Sequence, residues 1–361
     1  MPLRPPCDLF VLAGEASGDA YGAAVVEHLR PRLPDLICAG FGGQALAGAG
    51  CEIEERNEGL AVMGFLPVLA RLPTFLALKR RLRRAVIDRR ARAVLGVDYP
   101  GFNLRLARSL GEARQRGTRL IHLVAPQVWA WRPRRAKAVA HSVDRLLCLF
   151  PFEPALFNRF GAARADFVGH PLADLVPLGL DCAPIASELG LRPHDRLLLV
   201  APGSRAKEIE ALLPVMDEAV QAALPRLAAE RGGRVVAAIA KASETPRDLY
   251  RRHSDLPLIE GRYRELCARA HVGLIASGTA TLEAAIIGLP HVICYRTDPL
   301  SARLVRQLLR VEHIGLTNIV HGERVCPEVL QDQLDSPRLV AHLATLWSGE
   351  RREAVRARLA T

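Results

Sequence analysis

Short apolar segments alternate with longer amphipathic segments along most of the chain. Asp8 to Ala13 is the first apolar segment, and a helical pattern follows from Ala20 to Arg30, ending before Pro31. This alternation predicts parallel β-strands joined by crossover helices. Further strands are predicted at 36–39, 93–97, 119–124, 145–149, 165–168, 197–201, 234–240, 256–259, 271–276 and 290–295.

The alternation weakens between Gly169 and Pro193, where prolines are frequent and no period is sustained. We interpret this segment as a linker, because 361 residues exceed the usual size of a single core. The predicted fold is α/β, with two Rossmann-like parallel-sheet domains that face each other across a cleft. We assign 1–172 to the N-terminal domain, 173–343 to the C-terminal domain and 344–361 to a last helix, for which packing on the N-terminal domain is one option.

Two strand ends in the second half have the composition of an anion site. Small residues there separate an apolar strand from the start of a helix, where unpaired backbone N–H groups favour negative charge. An arginine adds a planar set of donors for phosphate, and a glutamate one turn into the second helix suits ribose hydroxyls. Taken singly, each turn is equally typical of an ordinary helix cap. The first turn contains Gly203, Ser204 and Arg205, and the second contains Ser277, Gly278 and Thr279 ahead of Glu283.

In the first half, Asp98 directly follows the predicted strand 93–97. Open parallel sheets bind ligands at the carboxyl ends of their strands, so this carboxylate is a candidate catalytic group. Most aspartates at such positions only cap the next helix. Trp129 and Trp131 lie in the loop after the next strand, where they either bury a corner or form the wall of a pocket.

A glycine-rich turn from Gly40 to Ala45 satisfies the pattern G-x-G-x-x-A. A dinucleotide-binding turn opens the first βα unit and is followed by an acidic residue about 20 positions later. Neither condition holds for this turn. We therefore expect no NAD site.

Apolar side chains recur at helical spacing just before a basic cluster, Lys79 to Arg84. An apolar stripe beside basic residues is typical of a helix that lies in the surface of an anionic membrane. The alternative is an ordinary amphipathic helix packed on its own sheet. The stripe consists of Val62, Met63, Phe65, Val68, Leu69, Leu72, Phe75 and Leu76.

The composition gives the chain a net charge of +11, with 49 basic and 38 acidic residues. Only 5% of the residues are aromatic, and the basic clusters lack the interleaved aromatics that stack on bases, so we expect no nucleic-acid partner. An anionic membrane surface or an anionic substrate explains the charge better. The eight cysteines form no CxxC pair and are predicted to be separate, buried thiols in a reducing compartment. No signal peptide or membrane-spanning segment is predicted, so the expected location is the cytoplasm.

Eight short motifs stand out along the chain. They are AGEASGD at 13–19, LAVMGF at 60–65, GVDYPGFN at 96–103, APQVWAWR at 125–132, FPFE at 150–153, FVGHP at 167–171, PGSR at 202–205 and SGTATLEA at 277–284. Each motif is weak alone, but eight in register are specific. They occur in the order seen in the lipid-A-disaccharide synthase family, which the chain resembles from about residue 8 to residue 322.

The resemblance implies an inverting glycosyltransferase of the two-domain GT-B type. It implies transfer of 2,3-diacylglucosamine from UDP-2,3-diacylglucosamine to the 6-hydroxyl of 2,3-diacylglucosamine 1-phosphate, with release of UDP. The enzyme would be peripheral on the cytoplasmic face of the inner membrane, which gives the apolar stripe a reason to be exposed. No DxD motif is present, and the resemblance implies neither a metal nor another cofactor.

An inverting transfer needs a base for the attacking hydroxyl and stabilisation of the leaving diphosphate. The resemblance makes Asp98 the candidate base and gives Arg205 a part in catalysis. The two glycine turns would hold the diphosphate, Glu283 the ribose, and Asn318 the nucleotide side. The acceptor side of the cleft would be lined by Glu15, Ser17, Gly18, Gln127 and Trp131.

One departure from the family pattern is Gly101, where a second aspartate is common. It leaves open whether the chemistry is impaired, although Asp98 is retained. Two rival interpretations therefore stay open. One is a different UDP-sugar enzyme, such as a transferase for another lipid or a 2-epimerase. The other is a catalytically silent protein that binds membrane surfaces.

Overall fold

The computed structural model describes residues 5–57, 72–131, 135–161, 164–177, 179–229, 234–297, 312–347 and 349–360. The chain divides into two compact units, Met1–Pro171 and Leu172–Thr361. Each unit is described by its own sheet and helices.

The first unit contains a seven-stranded parallel sheet with the strand order β3-β2-β1-β4-β5-β6-β7. Its strands are β1 Leu9–Ala13, β2 Cys38–Gly42, β3 Glu52–Arg56, β4 Ala93–Val97, β5 Arg119–Leu123, β6 Arg145–Cys148 and β7 Arg164–Phe167. Its helices are α1 Ala16–Leu29, α2 Gln44–Gly48, α3 Leu72–Asp88, α4 Pro100–Arg108, α5 Gly111–Gln115, α6 Val128–Trp131, α7 Ala136–Ala140 and α8 Glu153–Asn158.

The second unit repeats this topology in a six-stranded parallel sheet with the order β10-β9-β8-β11-β12-β13. Its strands are β8 Arg196–Ala201, β9 Val235–Lys241, β10 Leu258–Glu260, β11 Val272–Ala276, β12 His291–Tyr295 and β13 Glu328–Leu330. Its helices are α9 Leu172–Leu175, α10 Ala183–Glu188, α11 Ala206–Ala229, α12 Arg247–Arg251, α13 Tyr263–Arg269, α14 Thr279–Ile287, α15 Leu316–His321, α16 Ser336–Trp347 and α17 Gly349–Leu359.

Both sheets are covered on two faces, because successive residues of a strand point to opposite sides. In β1, Phe10 and Leu12 belong to one buried cluster, whereas Leu9 and Val11 belong to another. The strand β8 alternates in the same way between two clusters of the second unit. This double burial is why the central strands appear in the sequence as continuous apolar runs.

The last helix, α17, packs on the second unit. Val355 and Leu359 belong to the same buried cluster as Trp347 of α16 and Val272 of β11. The apolar face of this helix is therefore part of the core of its own unit.

Three features of the first unit and one of the second differ from the sequence prediction. The strand β2 runs through Gly40 and Gly42, which were predicted to form a turn. Glycine is needed within this strand because a Cβ at Gly40 would overlap the carbonyl oxygen of Val11. The edge strands β3 and β13 were not predicted, since neither contains a sustained apolar run.

The remaining difference concerns two cysteines. Cys38 and Cys51 are joined by a disulfide with a Cα–Cα distance of 4.7 Å, so the prediction of eight separate thiols is wrong for this pair. The two residues are 13 positions apart in sequence, and only the pairing of β2 with β3 brings them together. The other six cysteines are free, as predicted.

The helices within the described ranges include none that is both long and apolar enough to cross a membrane.

Candidate functional site

In each unit the sheet changes direction of winding at one point. In the first sheet, β2 lies on one side of β1 and β4 lies on the other side. In the second sheet, β9 and β11 flank β8 in the same way. The helices that follow such strands diverge and leave a crevice at the carboxyl ends. Asp98 lies at the first of these points, and Ser204 and Ser277 lie at the second.

Asp98 directly follows β4 and is fixed in an unusual backbone conformation. Its φ is 46° and that of Tyr99 is 47°, while Val124, after the neighbouring strand β5, has a φ of 71°. Left-handed conformations cost energy in residues other than glycine and concentrate at functional sites. The Asp98 N–H donates a hydrogen bond to the Leu123 carbonyl oxygen at 2.9 Å, which ties the two strained turns together.

Asn103 holds this arrangement from α4. Its buried Nδ2 lies 3.1 Å from the Leu12 oxygen, 3.2 Å from the Val97 oxygen and 2.8 Å from the Asp98 oxygen. One amide therefore serves carbonyl groups at the ends of both β1 and β4. The asparagine of the GVDYPGFN motif consequently positions Asp98.

The Asp98 carboxyl is half-buried, and burial raises its pKa above the usual value, partly offset by a hydrogen bond from the Tyr99 backbone. Burial also raises the pKa of the Tyr99 hydroxyl, and the nearby charge of Glu15 adds to this effect. Glu15, at the N-cap of α1, is thus close to the same crevice. An aspartate with a raised pKa is better matched to accepting a proton near neutral pH.

The other residues predicted on the acceptor side lie around the same edge. Ser17 is exposed in the first turn of α1, and Gly18 packs against the end of β4, where a Cβ would lie 3.2 Å from the Val97 oxygen. Gln127 is exposed after β5. The side chain of Trp131 lies outside the described part of the chain.

Glu153 was not predicted as a site residue, although it ends the FPFE motif. Its side chain is 1% exposed and accepts hydrogen bonds from Trp129 Nε1 at 3.0 Å and from the Phe150 N–H at 3.1 Å. Burial raises its pKa to about 7, although these hydrogen bonds oppose the shift. Trp129 also packs edge-on against Phe152, with ring centroids 5.2 Å apart. Glu153 therefore links the loops that follow β5 and β6.

Asp19 explains why the glycine-rich turn after β2 has no free anion site. Its carboxylate accepts the N–H of Gly43 at 2.6 Å and the N–H of Ala45 at 2.9 Å. A Cβ at Gly43 would lie 2.9 Å from this carboxylate. A side chain of the AGEASGD motif thus occupies the donors that a phosphate would need.

In the second unit, the two predicted turns line one cavity of about 320 Å³. Gly203, Ser204 and Arg205 approach it from the end of β8, and Ser277 and Thr279 from the end of β11. Lys241, at the end of β9, also lines it, and its Nζ lies 3.1 Å from Glu260. A cavity with two cations and a helix N-terminus is suited to a diphosphate.

Arg205 is paired within its own helix turn. Its Nη1 donates to Glu208 at 2.8 Å, and the other oxygen of Glu208 accepts the Ser204 N–H at 3.3 Å. Gly203 has a φ of 109°, and a Cβ there would lie 2.5 Å from the Glu208 carboxylate. Glycine is therefore required both by the backbone conformation and by the closeness of this carboxylate.

Glu283 lies in the second turn of α14, with 18% of its side chain exposed. Its carboxylate accepts a hydrogen bond from Arg264 Nε at 2.6 Å, and Arg264 also donates to the Leu175 oxygen. This partner was not predicted. The ion pair with Arg264 uses one carboxylate oxygen of Glu283.

The contact predicted for Asn318 is not available in this arrangement. Asn318 is fully buried, its Nδ2 donates to the Cys326 oxygen at 2.7 Å and to Glu328 at 2.9 Å, and its Oδ1 accepts the Cys326 N–H at 2.9 Å. Both amide hydrogens are used within the protein. Asn318 therefore stabilises the loop between α15 and β13 and does not present its side chain to a ligand.

The predicted apolar stripe falls largely outside the described residues, since Val62, Met63, Phe65, Val68 and Leu69 are not described. The three described members differ. Leu72 and Leu76 are 41% and 46% exposed, whereas Phe75 packs on the core, 6.3 Å from the Phe102 ring. The membrane interpretation thus fits the face of α3 with Leu72 and Leu76, and the core interpretation fits the face with Phe75.

A larger cavity of about 810 Å³ lies at the opposite edge of the first sheet, beside Asp8 and Arg119. Its one lining carboxylate, Asp8, is paired with Arg92 at 3.0 Å. The carboxyl ends of helices and the amino ends of strands meet at this edge, which is not where open parallel sheets bind substrates. We therefore assign the chemistry to the carboxyl edges.

Solved structures share this architecture. A putative UDP-N-acetylglucosamine 2-epimerase from Listeria monocytogenes has a TM-score of 0.62 and 14% identity, covering 97% of this chain and 91% of the other. The calicheamicin glycosyltransferase has a TM-score of 0.57 and 17% identity, covering 98% and 92%. At these identities the likeness concerns the fold alone. The two parallel-sheet units are those of the GT-B class of glycosyltransferases, as predicted.

The sequence comparisons then define the family. The profile of the lipid-A-disaccharide synthetase family matches residues 9–360. Lipid-A-disaccharide synthase of Xanthomonas euvesicatoria is 39% identical over 94% of this chain and 77% of the relative, and that of Neisseria meningitidis is 38% identical over 92% and 87%. The chain belongs to the lipid-A-disaccharide synthetase family.

The residues that sequence reasoning missed share one property. Each of them bonds to another protein group, so its partner is set by the fold; they are Asn103, Glu153, Glu208, Lys241 and Arg264. Asn103 and Glu153 belong to recognised motifs, which is the signal that could have identified them. Lys241 ends an apolar strand, where a buried lysine is unusual.

The raised pKa of Glu153 makes stability depend on pH. As pH rises from 4.5 to about 7, the unfolded carboxyl ionises while the folded one stays protonated, so the free energy of unfolding falls. The difference in pKa corresponds to about 3 kcal/mol. Glu153→Gln should lack this dependence, which urea denaturation at pH 4.5 and 7.5 measures.

The exposed Glu27→Gln is the matched control and should follow the wild-type profile. Parallel pH profiles of the wild type and Glu153→Gln would show that the buried carboxyl does not titrate in this range.

Proposed function

We propose that this protein transfers 2,3-diacylglucosamine from UDP to the 6-hydroxyl of 2,3-diacylglucosamine 1-phosphate, forming the disaccharide of lipid A and releasing UDP. Membership of the lipid-A-disaccharide synthetase family is the observation that carries this proposal. The arrangement of polar groups supports it. The first unit offers carboxyl groups at its crevice, and the second offers cations and backbone donors.

In this proposal Asp98 is the base. An inverting transfer is one displacement at the anomeric carbon: the acceptor oxygen forms the new bond, its proton goes to a base, and the bond to UDP breaks. Asn103 donates to the backbone carbonyl oxygen of Asp98 and so holds the strained turn that carries the carboxylate, and burial raises the pKa of that carboxyl. Its position is therefore fixed through the backbone, and the raised pKa favours acceptance of the hydroxyl proton.

The second unit would bind UDP. The diphosphate would lie in the cavity between the Ser204 and Thr279 turns, where Arg205 and backbone N–H groups stabilise the charge of the leaving group. To meet it, Arg205 would exchange its bond to Glu208 for a phosphate oxygen. One carboxylate oxygen of Glu283 would accept hydrogen bonds from the ribose hydroxyls, while Arg264 donates to the other oxygen.

We also propose that the protein is peripheral on the anionic, cytoplasmic surface of the inner membrane and binds no nucleic acid. Both lipid substrates reside in a membrane, and Leu72 and Leu76 expose apolar surface on α3. The exposed Arg80 and Arg84 follow on the same helix and would attract anionic headgroups.

Asp98→Asn tests the base. Turnover should fall by about 100-fold or more, because the amide cannot accept the proton, while UDP affinity stays within about twofold. Because the pKa of Asp98 is raised, wild-type activity should decline on the acid side at a higher pH than for an ordinary aspartate. Steady-state kinetics and calorimetry measure both, with the exposed Asp35→Asn as control. Unchanged turnover in Asp98→Asn removes it from the mechanism.

UDP titrations test the nucleotide site without turnover. Arg205→Gln and Glu283→Ala should each weaken UDP binding by about tenfold, the usual effect of losing a charge-assisted hydrogen bond. Glu210→Gln, exposed on α11, should bind UDP like the wild type. Wild-type affinity in Glu283→Ala would contradict the ribose role.

The exposed face of α3 can be tested against its buried face. Leu72→Ser with Leu76→Ser should reduce sedimentation with phosphatidylglycerol vesicles while leaving the free energy of unfolding nearly unchanged. Phe75→Ser should lower that free energy by more than about 1 kcal/mol, because Phe75 packs on the core. If the leucine double variant unfolds instead, this face is core and the membrane assignment is lost.

A further inference from the structure

A second cavity of the first unit, of about 310 Å³, opens at Pro100 and Gly101, which follow Asp98 closely in the chain. Its first two walls are α4 and the loop after β5, the segments that continue from the neighbouring strands β4 and β5, and its third wall is α7 with the preceding Arg135. Gly101 lies in the first wall and Gln127 in the second. The cavity thus lies at the carboxyl edge of the sheet.

The charge of this cavity is strongly positive. Arg105, Arg108 and Arg135 line it, and its lining includes no carboxylate. Arg108 is oriented by a 3.0 Å hydrogen bond from its Nε to Ser142 Oγ. Within the described ranges, no ion pair involves Arg105 or Arg135. Three guanidinium groups without a carboxylate form a site for an anion with several oxygen atoms.

Gly101 has no side chain that could neutralise the positive charge of this cavity. A Cβ at this position would meet no atom within 4 Å, so a side chain would project into open space at the cavity wall. An acidic side chain at this position would place a carboxylate beside the arginines. In this chain the arginines keep their full positive charge.

We infer that this cavity binds the phosphomonoester of the acceptor, an inference that rests on the proposed function. The 1-phosphate and the 6-hydroxymethyl group are attached to C1 and C5, the two ring carbons that flank the ring oxygen, so the phosphate and the 6-hydroxyl are separate groups within the span of one sugar. Asp98 and Gly101 are three residues apart, so their Cα atoms are separated by at most about 11 Å. One sugar can therefore place its hydroxyl at Asp98 and its phosphate among the arginines.

This assignment limits how the acceptor can bind. With the phosphate held by Arg105, Arg108 and Arg135, the acceptor would turn about the phosphate so that its 6-hydroxyl reaches the base. The arginines would thus be binding residues that select a phosphorylated acceptor. They would contribute to the acceptor KM and to the choice of acceptor, and not to UDP binding.

The double variant Arg105→Gln with Arg135→Gln tests the inference. Its kcat/KM for 2,3-diacylglucosamine 1-phosphate should fall by about 100-fold, since two charge-assisted contacts are lost. With unphosphorylated 2,3-diacylglucosamine its kcat/KM should stay within about threefold of the wild type. The preference for the phosphorylated acceptor should therefore largely disappear.

Arg119→Gln is the matched control, since it removes the same charge from an exposed residue at the opposite end of β5. It should keep the wild-type preference. Urea denaturation should show that the double variant is folded, because both replaced side chains belong to exposed residues.

Two results would overturn the inference. One is an equal loss of activity with both acceptors. If binding to anionic vesicles falls as well, that result assigns the arginines to lipid headgroups. The other is an unchanged preference for the phosphorylated acceptor.

A binding experiment separates this inference from the proposed function. Glucosamine 1-phosphate, the water-soluble part of the acceptor, is titrated into the wild type and the double variant by NMR. Binding that the double variant loses supports the cavity even if the wild type makes no disaccharide, a result that would reject only the proposed function. Equal binding by the two proteins rejects the cavity.

Discussion

The hydrogen bonds of the Asn103 amide are the contacts on which the first crevice depends. Where β1 and β4 lead into diverging helices, their last carbonyl groups lose the partners that a continuing sheet would supply. Asn103 supplies a donor to Leu12, Val97 and Asp98 from within the helix that the strained turn introduces. The strain at Asp98 is therefore tolerated because the same motif contains its own compensation.

The two units use one topology for different electrostatic purposes. In the first unit the carboxyl groups of Asp98 and Glu15 lie near the crevice, three arginines line a cavity at the same edge, and Asp19 fills the helix N-terminus after β2. The corresponding cavity of the second unit is lined by Arg205, Lys241 and the turn residues of two strand ends, together with Glu208. A parallel sheet with diverging helices provides the crevice, and a few side chains at the strand ends decide which charge it accepts.

The sequence predicted well wherever a signal was local. The buried strands, the helix starts and the positions of Asp98, Ser204 and Ser277 at strand ends all follow from periodicity and turn residues. The edge strands β3 and β13 were not predicted, because they are short and polar. Phe75 and Leu76 adjoin in sequence but have opposite environments, and helical spacing alone did not assign them to the core and the surface.

Pairings between distant residues were the part that local patterns could not provide. The family resemblance implied a ligand contact for Asn318, yet its amide donates to Cys326 and Glu328. Cys38 and Cys51 were interpreted as separate thiols until the pairing of β2 with β3 placed them side by side.

By itself, the sequence determined the order of strands and helices, the two-unit α/β fold and the chemical groups at the strand ends. Tertiary structure alone decided which strand ends are neighbours, and so which polar groups already have partners. The physical reason is that periodicity reflects burial of each segment against any apolar surface, whereas hydrogen bonds and ion pairs require one particular neighbour at one particular distance.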